Sequence, residues 1–327
     1  MGKNKYKIVS LFSGCGGLDL GFRGNFSSLG NQYKQLNFDL IWANDVDKNA
    51  CLTFSKNFQK TIVCADIRDI LNGIYPSNNC PLIPARADIV LGGFPCQDFS
   101  ISGKRQGLKT PRGLLYQSMI NVVSQIQPMI FIAENVKGLL TLDKGNIIKK
   151  ITKEFSKIGY DVVYKLLHVA DYGVPENRER IIIVGTNKKL NLPVFEYPKP
   201  LLTKDNWLNL RYAIGDLADQ EEGSIHNHYW SKAKMFPGTQ GNSIVNPDKI
   251  GPTMRAEHHG NIEWHWNQKR RLSAREAARI QSFPDDFIFY PSTSSAYRQI
   301  GNAVPPAFAW HIAKTVQDYL DKYSSPK

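Results

Sequence analysis

The sequence predicts an α/β protein with a doubly wound, mostly parallel sheet and a second, smaller domain rich in loops. Near-continuous apolar runs of strand length recur along the chain, and helix-length intervals separate them, which is the pattern of βαβ units. The runs begin at Tyr6, Asp39, Ala87, Met129, Asp161 and Arg180. Ligands of such sheets bind beyond the carboxyl ends of the strands, so the residues that follow each run are the first candidates for a functional site.

The composition and the helical periodicity of the sequence change after Thr186. Residues 187–268 are rich in Asn, Pro, Gly, His and aromatic residues and show weak helical periodicity. Helical periodicity returns at "RLSAREAARIQSF" from Arg271 and in "AFAWHIAKTVQDYL" from Ala307. We therefore expect a loop-rich segment between two more regular parts of the chain.

Composition and charge narrow the class of protein. The 327 residues include 41 Lys and Arg against 29 Asp and Glu, a formal net charge of +12 that favours a polyanionic partner. Basic runs lie around Arg105, around Lys149 and from Lys269 to Arg279, and each is either a phosphate-binding surface or a solvated helix face. No run approaches the roughly 20 apolar residues of a membrane span, and no signal-peptide pattern is present. We expect a cytoplasmic protein without membrane contact.

Cysteine and histidine usage gives no sign of a metal centre. The five cysteines form no Cys-x-x-Cys pair, which argues against a disulfide framework and a zinc ribbon. Five of the seven histidines fall within residues 187–268, but their spacing is irregular and this segment has no cysteine. We expect no metal ion.

Three features predict a cofactor that contains a nucleoside. The first strand ends in "FSGCGGLDLGF", where Gly14, Gly16 and Gly17 let the backbone turn sharply and approach a ligand. Asp45 ends the second run and suits hydrogen bonds to ribose hydroxyls, while Asp66 ends a later short run and suits an adenine amino group. Either acid taken singly is more typical of a helix N-cap. In series they favour an adenosine-type ligand, either NAD or S-adenosylmethionine.

The stretch "GGFPCQDFS" predicts a reactive thiol. Pro95 favours the first turn of a helix, and a cysteine at a helix N-terminus is more readily ionised, so Cys96 is a candidate nucleophile. The next strand ends with Glu134, and Arg178 and Arg180 precede the last strand. Thiol, carboxyl and guanidinium groups together favour conjugate addition to a pyrimidine: the thiolate adds to C6, the carboxyl group contacts N3, and C5 takes a methyl group. This chemistry selects S-adenosylmethionine as cofactor.

Eight stretches in order resemble the successive motifs of C5-cytosine DNA methyltransferases of compact bacterial modification type. They are "FSGCGGLDLGF", "NDVD", "GGFPCQDFS", "RGLLY", "ENVKGLL", "DYGVPENRERIIIVG", "RLSAREAARIQSFPDDF" and "YRQIGNAVPP". The resemblance implies a Rossmann-like, S-adenosylmethionine-dependent methyltransferase domain formed by residues 1–186 and about 300–327. It implies that residues 187–299 form the target-recognition domain and the segment between domains.

The resemblance also implies roles for individual residues. Cys96 is implied as the nucleophile at C6, Glu134 as the contact to N3 and the exocyclic amine, and Arg178 and Arg180 as the pair that orders the cytosine. Val46 stands where many relatives carry an aromatic residue. The residues implied to line the cofactor pocket are Phe12, Gly14, Gly16, Leu18, Asp45, Val46, Asp66, Ile67, Leu115, Asn302 and Val304.

A cytosine within a duplex is out of reach of a nucleophile, so we expect base flipping and a mobile loop that closes over the flipped base. Ser102 and Arg105 lie in that loop. Thr253 and Met254 stand where relatives place a pair near the flipped site. The candidates for reading base edges are Arg255, His258, His259 and Asn261.

The expected partner is double-stranded DNA, bound by a monomer in a restriction-modification system. A cognate restriction endonuclease would act on the same site without direct contact. A tRNA cytosine-C5 methyltransferase is the nearest alternative, because a related branch uses the same chemistry on RNA. A non-catalytic DNA-binding protein on the same scaffold is a second, and a nicotinamide oxidoreductase a distant third.

Overall fold

A seven-stranded sheet lies at the centre of the molecule in the computed structural model, which describes residues 5–95, 115–256, 262–267 and 270–324. The strands are β1 Tyr6–Leu11, β2 Phe26–Ser28, β3 Asn31–Tyr33, β4 Phe38–Asp45, β5 Val63–Cys64, β6 Ile89–Gly92, β7 Ile130–Val136, β8 Tyr160–His168 and β9 Glu179–Asn187. The order across the large sheet is β5-β4-β1-β6-β7-β9-β8, and β2 and β3 form a separate hairpin.

The sheet is mostly parallel, as the sequence predicts. β5, β4, β1, β6 and β7 run parallel to their neighbours, whereas β9 is antiparallel to both β7 and β8. The reversal of β9 follows from the short connection between His168 and Glu179, because a parallel partner would need a longer crossover. The six apolar runs of the sequence correspond to β1, β4, β6, β7, β8 and β9.

Helices cover both faces of the sheet. Those within the described ranges are α1 Gly17–Arg23, α2 Lys48–Phe58, α3 Ile67–Leu71, α4 Leu115–Ile126, α5 Asn146–Lys157, α6 Leu210–Ile214, α7 Ala274–Ile280, α8 Thr293–Asn302 and α9 Pro306–Tyr323. Alternate strand residues enter two different cores: Ile8 joins the cluster that contains α1 and α9, and Val9 joins the cluster that contains α4 and α5. Both faces are therefore buried, which explains why the strands are apolar without alternation. Within the described ranges, no helix combines the length and apolar character that crossing a membrane requires.

The last helix returns to the first one. A Cβ added at Gly21 of α1 would lie 2.3 Å from the Cβ of Ala309 in α9, so only glycine permits this close packing. At the far end of α9, Asp321 accepts a hydrogen bond of 3.0 Å from the Tyr6 hydroxyl. The buried apolar residues of the loop-rich segment, such as Phe195 and Val245, join the same core cluster as α1 and α9.

The β2–β3 hairpin packs against α9. Tyr33 stacks on Phe26 and meets the ring of Trp310 edge-on at 5.5 Å between centroids. The indole nitrogen of Trp310 donates a hydrogen bond of 2.8 Å to the carbonyl oxygen of Lys34. Residues 24–37, for which the sequence offers no interpretation, thus form a cover over the C-terminal helix.

The basic run before and within α7 is internal. Arg271 and Arg275 are completely buried, and their guanidinium groups donate to backbone carbonyls such as those of Gly241 and Pro284. Arg270 pairs with Glu276 at 2.8 Å. The interpretation of this run as a phosphate-binding surface or a solvated face is therefore wrong for these three arginines, which instead hold the loop-rich segment onto α7.

Candidate active site

A cavity of about 660 Å³ opens at the carboxyl ends of β1, β4, β6 and β7. Its wall contains the predicted catalytic residues Glu134, Arg178 and Arg180. It also contains ten predicted cofactor residues, namely Phe12, Gly14, Leu18, Asp45, Val46, Asp66, Ile67, Leu115, Asn302 and Val304. Gly16 does not line it. The cavity lies where the sequence predicts a ligand site, at the carboxyl ends of the parallel strands.

The glycine turn after β1 is held by the acid at the end of β4. The Oδ2 atom of Asp45 accepts a hydrogen bond of 2.7 Å from the Gly14 amide, and its Oδ1 atom accepts one of 2.8 Å from the Asp47 amide. Gly14 has φ 56°, and a Cβ added there would meet no atom within 4 Å, so the turn leaves open space for a ligand. Burial raises the pKa of Asp45. At Gly16, by contrast, a side chain would collide with the ring of Phe58.

Asp66 has a structural role as well as a place in the cavity wall. It is the N-cap of α3 and accepts a hydrogen bond of 2.9 Å from the Arg68 amide. Its carboxylate also pairs with the Arg68 guanidinium, and this contact lowers the pKa of Asp66. Nearby in the wall, Val46 is 66% exposed, which leaves an apolar surface open to a planar ligand.

Glu134 and Arg180 form an ion pair in the part of the cavity wall that β7 and β9 provide. They lie on the adjacent strands β7 and β9, with Glu134 Oε1 2.8 Å from Arg180 Nε, and both side chains are about one-tenth exposed. Burial lowers the pKa of Arg180 to about 10, so the guanidinium remains charged at neutral pH. The Oε2 atom of Glu134 lies 3.4 Å from the position that a Cβ on Gly93 would occupy.

The turn at residues 93–95 therefore lies directly beside Glu134. It is tied to β7 by a hydrogen bond of 2.9 Å from the Asn135 side chain to the carbonyl oxygen of Phe94. The chain continues from Pro95 to Cys96, which lies outside the described residues, as do Ser102, Arg105, His258, His259 and Asn261. Their roles stay predictions.

Arg178 is occupied by backbone partners. Its guanidinium donates to the carbonyl oxygens of Met254, Gly301 and Ala303 at 2.8 to 2.9 Å, and the side chain is almost fully buried. It also pairs with Glu176 at 3.3 Å. Arg178 thus joins the start of β9, the segment before residue 255 and the end of α8. The role of Arg178 in ordering the cytosine stays a prediction, and Arg178 would exert it by holding these three segments together.

Three predicted DNA-contact residues, Thr253, Met254 and Arg255, lie within the described ranges and differ in solvent exposure. Thr253 donates its hydroxyl to the carbonyl oxygen of Asn177, and the side chain of Met254 is buried in the core. Arg255 is exposed. A Cβ on Gly301 would lie 2.1 Å from the carbonyl carbon of Arg255, so this segment crosses the end of α8 in direct backbone contact.

Two buried acids at the site were not identified from the sequence. Glu176 is fully buried, accepts a hydrogen bond from the Met254 amide and has a pKa raised by burial. Asp19, in α1, lines the cavity while only 3% exposed. Within the described ranges neither carboxylate oxygen of Asp19 accepts a hydrogen bond of normal geometry. An isolated acid inside the apolar stretch "GGLDLGF" is the sequence signal that marks this position.

Comparisons with known proteins show which family the chain resembles. The family model described as C-5 cytosine-specific DNA methylase matches residues 6–246 and 238–318. The chain is 37% identical over 345 residues to Type II methyltransferase M.NgoFVII of Neisseria gonorrhoeae, covering 96% of this chain and 87% of that protein. It is 35% identical over 349 residues to Type II methyltransferase M.FnuDI of Fusobacterium nucleatum, covering 96% and 95%.

A solved structure extends the likeness to three dimensions. A prophage-encoded protein of E. coli, described as a DNA modification methyltransferase, superposes with a TM-score of 0.66 at 26% identity. The superposition covers 97% of this chain and 100% of that chain. The Dnmt2 methyltransferase of S. pombe, with a TM-score of 0.64 at 16% identity and coverage of 97% and 99%, shares the fold.

Proposed function

Because the chain belongs to the C-5 cytosine-specific DNA methylase family, we propose that it extrudes a cytosine from a specific duplex site and methylates it through a covalent Cys96–C6 adduct. The enzyme class is DNA (cytosine-5)-methyltransferase. The observation that carries the proposal is the Glu134–Arg180 pair, which lies in the cavity wall beside the turn that leads to Cys96.

The cofactor is S-adenosyl-L-methionine, and the cavity fits it. Asp45 and Asp66 lie in the wall near the exposed apolar surface of Val46, where ribose and adenine would bind, and Gly14 leaves open space beside them. Asp19 adds a further carboxyl group to this wall. An acid-rich wall suits a ligand with a positively charged sulfonium, and the sulfonium supplies an electrophilic methyl group.

The protein's own residues would carry the chemistry on the base. The Cys96 thiolate adds to C6 of the extruded cytosine, while Glu134 holds N3 and the exocyclic amine. Arg180 holds Oε1 of Glu134, which leaves Oε2 on the side of the Gly93 turn for the base. Addition at C6 makes C5 nucleophilic. After C5 has taken the methyl group, loss of the C5 proton and elimination of the thiolate restore the aromatic ring.

Recognition of the site falls to the loop-rich segment and the loop after Cys96. Arg255 is the described candidate for reading a base edge because it is exposed beside the cavity wall residue Ala256. The similarity to Type II methyltransferases supports a role in a restriction-modification system, with an endonuclease that acts independently on the same sequence. We further propose that the enzyme acts as a cytoplasmic monomer.

A covalent trap tests the proposal. Bisulfite sequencing of DNA from cells that express the protein first identifies the methylated sequence. A duplex with 5-fluorocytosine at that position should then form a denaturation-resistant adduct, because fluorine at C5 blocks the elimination step. Cys96→Ser should form no adduct and transfer no methyl group, whereas the matched variant Cys80→Ser should behave as the wild type.

Methyl-transfer assays on tRNA and on the unmodified duplex separate the alternatives. Methylation of tRNA but not of duplex DNA would favour the tRNA enzyme. If the wild type binds the duplex but transfers no methyl group, it is a binding protein on this scaffold. Full methyl transfer by Cys96→Ser, or turnover by the wild type without a trapped adduct, would contradict the covalent mechanism.

A further inference from the structure

Among the described residues, the carboxyl group of Asp19 has no hydrogen-bond donor in normal geometry and no cation as a partner. It lies in α1 behind the glycine turn, is 3% exposed and lines the cavity, and within the described ranges neither of its oxygens accepts a hydrogen bond of normal geometry. The Ser10 hydroxyl is near enough to lower its pKa, but burial dominates and raises the pKa to about 7. A buried acid in this state destabilises the fold unless a ligand completes its surroundings.

Two of the three arginines in the cavity wall are engaged by protein groups. The guanidinium of Arg178 donates to backbone carbonyls, and that of Arg180 faces Glu134. The charged group that acts most strongly on Asp19 is another acid, Asp45, which disfavours ionisation further. The third arginine, Arg298, is exposed and is not among the groups that shift the pKa of Asp19. Asp19 thus borders the cavity without a described cation as its partner, and a positively charged ligand group would compensate both its burial and this repulsion.

We propose that Asp19 binds the α-ammonium group of the methionine part of S-adenosyl-L-methionine. This inference rests on the cofactor of the proposed function and adds a ligand contact to it. Among the charged groups of the cofactor, the carboxylate is repelled by Asp19 and the sulfonium has no hydrogen to donate. The ammonium is cationic and carries three N–H donors, which a carboxylate accepts in strong charge-assisted hydrogen bonds. Asp45 and Asp66 are assigned to the adenosine part, and Glu134 to the base.

Binding calorimetry without DNA tests this assignment. The two ligands are S-adenosylhomocysteine and its deamino analogue, in which hydrogen replaces the α-ammonium group. The wild type should bind S-adenosylhomocysteine about ten- to a hundred-fold more tightly than the analogue, as expected for a hydrogen-bonded charge pair. Asp19→Asn should lose most of this preference, mainly through weaker binding of S-adenosylhomocysteine.

Asp45→Asn is the matched control. Because Asp45 supports the glycine turn and the adenosine part, its variant should weaken both ligands by a similar factor and keep the preference. Equal affinity of the wild-type protein for the two ligands would overturn the proposal without the need for any variant. An Asp19→Asn protein that keeps the full preference, or that loses both ligands equally, would do the same.

These outcomes are independent of the proposed function. The 5-fluorocytosine trap reports on Cys96 and the base, whereas the calorimetry contains no DNA. A protein that forms the adduct but shows no ammonium preference refutes only the role of Asp19. A protein that shows the preference but forms no adduct refutes only the covalent mechanism.

Discussion

At the scale of single residues, four acids of the cavity wall differ in the groups that contact their carboxyl oxygens. Glu134 has a guanidinium at 2.8 Å, Asp66 has the Arg68 guanidinium, and Asp45 accepts two backbone amides. Asp19 has none of these partners within the described residues. The first three acids therefore have protein partners before a ligand binds. Asp19, in contrast, lowers the free energy of unfolding of the ligand-free protein, and ligand binding would remove this destabilisation.

Because buried Asp19 destabilises the ligand-free protein, we expect Asp19→Asn to stabilise it. The unfolded chain releases the proton near the ordinary pKa of 3.8, whereas the folded protein holds it until about pH 7. Between these pH values the unfolded state binds fewer protons than the folded state, so the free energy of unfolding falls as the pH rises. This destabilisation by Asp19 reaches its full size above the folded pKa. Asn does not titrate, so its advantage should grow from about pH 5 to about pH 8 by more than about 1 kcal/mol.

Urea unfolding at the two pH values measures the effect, without ligand. The surface variant Asp161→Asn is the control, since Asp161 is well exposed and only 3.8 Å from Lys188 in a weak pair. It should change the unfolding free energy little at either pH. An Asp19→Asn variant that is equally destabilised at both pH values would show that Asp19 has a stabilising partner.

At the scale of elements, β9 links the strands of the cavity wall to the loop-rich segment. The chain before β9 carries Glu176 and Arg178, which reach Met254, and Arg178 also reaches the end of α8. Asn177 donates its amide to the carbonyl oxygen of Gly251 at 2.7 Å. Three segments distant in sequence are thus fixed by one buried ion pair and its backbone contacts, and Arg180 follows Arg178 by two residues and pairs with Glu134 in the cavity wall.

Replacement of Arg178 by Ala should therefore damage the fold before it damages the chemistry. The variant would leave three carbonyl oxygens and Glu176 without their donor, a loss of about 3–5 kcal/mol for a broken buried pair. Urea unfolding measures it, with Arg211→Ala, which breaks the exposed pair with Asp248, as the control expected to cost less than about 1 kcal/mol. A stable Arg178→Ala protein that binds the cofactor but transfers no methyl group would instead favour direct action on the cytosine.

The sequence predicts the elements well where local pattern decides the structure. Fully buried strands read as continuous apolar runs, so the sequence locates β1, β4, β6 and β7, together with Asp45 at the end of β4 and Glu134 near the end of β7. The apolar pattern alone does not give the direction of β9, which follows from the short connection between His168 and Glu179. Whether a polar side chain is internal also escapes the sequence: Arg271 and Arg275 look like surface charges, and Asp19 is hidden in an apolar helix. Only tertiary contacts decide these cases.

At the scale of the whole molecule, the net charge of +12 is unevenly available to DNA. Arg178, Arg271 and Arg275 are fully internal, so phosphate binding must depend on exposed cations. Topology divides these cations into two groups. The cavity lies at the carboxyl edge of the sheet, and α5 runs from this edge, after β7, back to the opposite edge where β8 begins at Tyr160. Lys157 at the end of α5 is therefore remote from a base in the cavity, although it belongs to the most lysine-rich helix.

This division predicts which charges govern the salt dependence of DNA binding. Lys144 follows β7 at the cavity edge, and Arg298 is exposed in α8 while lining the cavity. The double variant Lys144→Gln/Arg298→Gln should reduce the slope of log affinity against log salt by up to about 2, because each phosphate contact contributes about 0.9. The matched double variant Lys153→Gln/Lys157→Gln removes the same charge from the second half of α5, which leads away from the cavity edge, and should leave the slope unchanged. Fluorescence anisotropy of a labelled duplex across a salt series gives both slopes. Equal reductions in the two double variants would mean that DNA affinity depends on the total charge of the protein and not on the position of the charges.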